Sequence, residues 1–71
     1  MQEIMFRGYN LKAESYKDDE TEQWIPYVII SSVDESPNKE MPMSWEREFE
    51  TQEEADSFAL DGAEFYIGNH F

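Results

Sequence analysis

Thr51-Gln52-Glu53-Glu54-Ala55-Asp56-Ser57-Phe58-Ala59-Leu60 is the stretch on which the fold turns. Thr51 brings a hydroxyl that can accept from a free amide at a helix start, and Glu54 follows at the spacing of a capping box. Glu53, Glu54 and Asp56 place negative charge at the positive end of the helix dipole. At about 100° per residue, Ala55, Phe58, Ala59, Gly62, Phe65 and Tyr66 fall on one stripe. The small residues Ala59, Gly62 and Ala63 would let the helix backbone lie close to a sheet, with Phe58 and Ala59 buried against its central strand. Glu53, Ser57, Asp61 and Glu64 form the opposite, acidic face, while Leu60 and Ile67 lie off the main stripe beside Ala63. Gly68 and Asn69 supply the stop signal.

Upstream of the helix three segments read as strands. From Phe6 to Tyr16, Tyr9, Leu11 and Ala13 alternate with Asn10, Lys12 and Glu14, the mark of a half-buried strand, and Gly8 within it indicates a bend or bulge. Trp24 to Val33 is the most apolar segment, with Ile25, Tyr27, Val28, Ile29 and Ile30, and belongs at the centre of the sheet. Pro26 cannot donate to a ladder, so it must stand near the start of that strand or at a bulge. Met43 to Glu50 alternates, with Met43, Trp45, Arg47 and Phe49 on one side and Ser44, Glu46, Glu48 and Glu50 on the other, as an edge strand does. The wholly polar run from Lys17 to Gln23 is a hairpin loop, expected to be mobile, and residues 34–42 form a second loop. The expected fold is therefore α+β: a single domain over residues 1–71, a three-stranded antiparallel meander with one C-terminal helix on one face.

Seventeen acids against five bases give a net charge of −12. Direct nucleic-acid binding and binding to anionic membranes both need Lys and Arg to neutralise phosphate, so neither is expected. High charge can also accompany disorder, but two Trp, four Tyr and five Phe in periodic segments argue for a packed fold. The absence of Cys, of a basic leader before an apolar run and of any long apolar stretch points to a cytoplasmic protein.

Catalytic chemistry finds little footing. Nucleophilic catalysis needs a held imidazole, and the single histidine, His70, is next to last. Paired carboxylates are so abundant that each reads as solvated surface. Asp18, Asp19, Glu20 and Glu22 put hard oxygens in one loop, without EF-hand spacing or its turn glycine, and one His without Cys does not make a zinc site. No catalytic, cofactor or metal residue is assigned. Trp and Tyr suit both small cores and interfaces. Trp24, Trp45, Glu53, Asp61 and Glu64 are the candidate partner-binding residues.

The order Phe6-Arg7-Gly8-Tyr9, Trp24-Ile25-Pro26-Tyr27-Val28-Ile29-Ile30 and Phe49-Glu50-Thr51-Gln52-Glu53-Glu54-Ala55 resembles small uncharacterised bacterial proteins with a β-β-β-α order. It is more distantly similar to the HicB-type antitoxin partial domain. The same order looks like part of a double-stranded-RNA-binding domain, whose RNA contacts need basic residues that are lacking here after Arg47. None of these likenesses implies a catalytic residue. Two functions remain: a small acidic interaction or accessory protein, monomeric or weakly dimeric, that meets a protein partner through the aromatic sheet face or the acidic helix; or a phage-derived nucleic-acid mimic that fills the basic groove of a DNA-binding, CRISPR or restriction protein.

Overall fold

A computed structural model describes residues 2–32 and 40–70. Phe6-Arg7-Gly8-Tyr9 is a two-residue hairpin turn, with Arg7 at φ 51° and Gly8 at φ 82°. Two successive residues in the left-handed region match the right-handed twist of flanking strands, and glycine enters that region at no steric cost. The glycine therefore ends one strand and starts another, where the sequence suggested a bend within a single strand. On either side run β1 (Gln2–Phe6) and β2 (Tyr9–Ala13), paired antiparallel from Phe6↔Tyr9 to Gln2↔Ala13.

The remaining strands are β3 (Tyr16–Lys17), β4 (Trp24–Ile25), β5 (Tyr27–Ser32) and β6 (Glu40–Ser44), followed by α1 (Gln52–His70). One sheet has the order β1-β2-β5-β6 and a second pairs β3 with β4, all antiparallel. Among the described residues the expected three-stranded meander is thus corrected to six strands in two sheets. The fold remains α+β, with one C-terminal helix packed on a sheet.

The two sheets share one register. Ala13↔Val28 and Tyr16↔Ile25 lie on the same antiparallel count, with Ser15 and Pro26 opposite each other between them. The Glu14–Tyr27 bond makes this a non-bonded pair, so Pro26, which has no amide, withdraws no bond from Ser15. It stands at the start of β5, as its chemistry requires. The loop between β3 and β4 is tied by its own bonds: Asp18 N–H to the Gln23 carbonyl and Glu22 N–H to the Asp18 carbonyl, both 2.8 Å. Glu20 N–H also donates to Asp18 Oδ1 at 2.8 Å.

The third expected strand moves. It runs over Glu40–Ser44, so Glu40, Met41 and Pro42 belong to the sheet and not to a loop. Beyond Ser44 the chain leaves the sheet, and only Phe49 pairs again, exchanging two backbone bonds with Trp24 (2.7 and 2.9 Å). Val33, the rest of the expected second loop and the His70 side chain lie outside the described residues.

Thr51 caps α1 as expected: its Oγ1 accepts from Glu54 N–H at 3.2 Å and donates to Glu54 Oε1 at 3.0 Å. The helix then runs through Gly68 and Asn69 to His70, and Asn69 Nδ2 donates to the Phe65 carbonyl at 2.8 Å. Its roll differs from expectation by about 100°, one residue step. Ala55, Asp56, Ala59, Leu60, Ala63 and Ile67 are buried, Phe58 and Gly62 are half-buried, and Phe65 is 73% exposed. Leu60 and Ile67, read as marginal, centre the stripe. They pack with Leu11, Ala13, Val28 and Ile30, flanked by Ile4, Phe6, Met41 and Met43. The alanines keep the helix close to a four-stranded sheet, whereas a Phe58–Phe65 ridge would hold it away.

Candidate functional site: an aromatic groove rimmed by acids

The roll of α1 follows from a backbone deficit in β2–β3. Glu14 N–H donates to the Tyr27 carbonyl at 2.8 Å, so the next residue, Ser15, turns its N–H and C=O the other way. That side belongs to β1, whose pairing ends with Gln2 opposite Ala13. The helix supplies the missing partners. Asp56 Oδ1 accepts from Ser15 N–H at 3.0 Å, and Gln52 Nε2 donates to the Ser15 carbonyl at 3.2 Å. Asp56, first assigned to the helix dipole, is a buried structural acid at 1% exposure.

With Asp56 inward, the opposite face of α1 carries Glu54, Ser57, Asp61 and Phe65 outward. The Trp45 indole covers one flank. A Cβ on Gly62 would come within 2.5 Å of Trp45 Cζ2, so the glycine is the recess in which that ring lies. Trp45 meets Phe58 edge-on, with centroids 5.6 Å apart and planes at 88°, and Phe49 lies 5.3 Å from Phe58 on a tilted plane. The Arg47 guanidinium stands over the Phe58 ring, 5.1 Å from its centroid.

Phe49 and Phe58 floor an open groove of about 640 Å³, lined also by Thr51, Glu53, Glu54, Ser57 and Asp61. Of the five candidate residues, Glu53 and Asp61 are brought together here. Trp45 braces the floor through Phe58. Trp24 stands behind it, half-buried and bonded to the backbone of Phe49. Glu64 is half-buried and does not line the groove. Alternation puts Trp24 on the side of Val28 and Ile30, and α1 reaches β4, so both tryptophans belong to the helix-facing side. The other side of the sheet keeps Met5, Ile29, Tyr27 and Pro42 among Glu3, Lys12 and Glu14.

Sequence reading missed Phe49, Phe58, Arg47 and Glu54 as parts of one surface. The signal was Arg47 and Phe49 sharing a side in strand alternation, though the segment is not a strand. A second depression of about 400 Å³ is lined by Tyr16, Asp18, Ile25, Glu46 and Glu48. It too is acidic and aromatic, but among the described residues no cation stands over its Tyr16 ring.

No protein-family model and no curated protein matches the chain. Among the described residues, no three His, Cys, Asp or Glu gather as metal donors, and no helix is long and apolar enough to cross a membrane.

Proposed function

We propose that this chain is a small acidic protein-interaction or accessory protein without catalytic activity of its own, and that the groove along α1 receives a basic protein partner. One observation carries the reading: aromatic rings floor an open groove whose rim is Glu53, Glu54 and Asp61. Acids kept for solubility alone have no need of an apolar floor. Half-buried aromatics beside charge give a partner contact area as well as steering. Phe65, one turn beyond Asp61 and exposed, extends that surface.

The nucleic-acid mimic is less well supported. A mimic needs carboxylates in an unbroken, phosphate-like row. On the outward stripe of α1, Ser57 separates Glu54 from Asp61, and Phe65 follows.

The test is affinity capture from the native cells at low and high salt, with the parent and a Glu53→Lys/Asp61→Lys protein. The reading expects proteins that the parent retains, that salt releases and that the double variant loses. Partners held equally by both proteins would exclude this face.

A further inference from the structure

The Phe58 ring of the groove already meets a cation, and that cation is the chain's own, beside the lining residues and not among them. Arg47 is exposed, and its guanidinium stands over the Phe58 ring 5.1 Å from the centroid. Trp45 edge-on and Phe49 tilted fix that ring from other sides. The rim is anionic, with Glu53, Glu54 and Asp61 lining the same groove as that ring. An aromatic face attracts a cation through its quadrupole, and a planar guanidinium can also stack on it while its N–H groups reach nearby carboxylates. An ammonium does the first of these and not the second. Phe58 is held in place by packing, so a ligand need not order it. Arg47 sits on a segment that has left the sheet at Ser44 and re-pairs only at Phe49, so its side chain can swing away without breaking a ladder.

We infer that the Phe49–Phe58–Asp61 groove is an arginine-selective docking site, receiving an Arg side chain of a basic partner segment in place of Arg47. This rests on the interaction reading above and specifies its chemistry. A net charge of −12 opposes a second copy of this chain as occupant and favours a basic one.

The probe is a short Lys- and Ser-containing peptide with one central Arg, alongside the same peptide with that Arg replaced by Lys. Both are titrated into the full chain, with amide shifts followed by NMR. The Arg peptide should bind about fivefold tighter, with shifts centred on residues 47–61. Phe58→Leu should bring the two peptides level. Arg47→Gln, an exposed change that leaves the floor intact, should strengthen the Arg peptide more than the Lys peptide. Equal binding of both peptides in the groove of the parent would overturn arginine selectivity and leave an acidic docking face. Shifts centred elsewhere would overturn the groove itself. Weaker Arg-peptide binding after Arg47→Gln would show that Arg47 assists the ligand, and would overturn the replacement.

Discussion

Asp56 and Ser15 meet where a strand runs out of neighbours, and the bond between them is the tie from helix to sheet that no apolar contact replaces. Asp56→Ala would leave the Ser15 amide buried with no acceptor, and should cost about 1–3 kcal/mol. Asp56→Asn keeps an Oδ1 acceptor and should cost less. Urea unfolding midpoints of the two variants check this order, and equal losses would show that the acceptor is not what matters. The hydroxyl of Ser15 behaves differently: buried at 4% exposure, its Oγ has no hydrogen-bond partner among the described residues. Ser15→Ala keeps the backbone bonds and removes that hydroxyl, so its melting temperature should match or exceed that of the parent. At Thr51, exposed and bonded to Glu54, an Ala substitution removes the cap and should cost about 1 kcal/mol.

At the scale of the element, the helix asks which of its faces is inside. Apolar residues stand nearly all round α1: Phe58 and Phe65 on one side, Leu60 and Ile67 on another. A period-3.6 reading therefore admits two rolls. The cap was legible because its parts are three residues apart and depend on nothing distant. The roll was not, because it is decided by Ser15, far off in sequence, and by the indole in the Gly62 recess. Leu60→Ala should cost about 2–5 kcal/mol and Phe65→Ser should be nearly neutral. The reverse order in thermal unfolding would restore the first reading. Gly62→Ala is a sharper trial. Helix propensity alone predicts a gain of about 1 kcal/mol, yet the new methyl group would press on an indole already packed against Phe58. A net loss of stability is expected. The hairpin at Arg7-Gly8 was half legible: glycine announced a special backbone, but Arg lacks the usual Asn or Asp signature of such a turn. Pro42 reads clearly in retrospect. Its pair with Ile29 lies between the bonded pairs of β5 and β6, so its missing amide faces the open edge and costs the sheet nothing.

Across the whole molecule, charge sets the terms. The fold measures 38 × 23 × 17 Å and carries a net charge of −12. At about 0.01 M salt the screening length is about 30 Å, so nearly every acid feels every other; at about 1 M it is about 3 Å. Self-repulsion destabilises the compact state, so the melting temperature should climb as NaCl rises over that range. A melting temperature unmoved by NaCl would mean that the acids are spread widely enough not to interact. Partner binding should respond in the opposite sense, since the same salt screens attraction to a basic surface. The composition made the acidity plain, but not that three of the acids would line one groove with half-buried rings. That follows from the roll of α1, through which the sheet, the helix and the groove are one problem.

Trp45 also gives the protein an optical gauge of its own. Its indole lies in the Gly62 recess and braces Phe58, so it touches the helix–sheet seam and the floor of the groove together. In a Trp24→Phe protein, emission would come from that ring alone. Unfolding would hydrate the ring and move its emission to the red, while a ligand arriving over Phe58 would alter brightness with the seam still closed. One fluorophore, already in place, would thus separate loss of structure from occupancy without an attached dye.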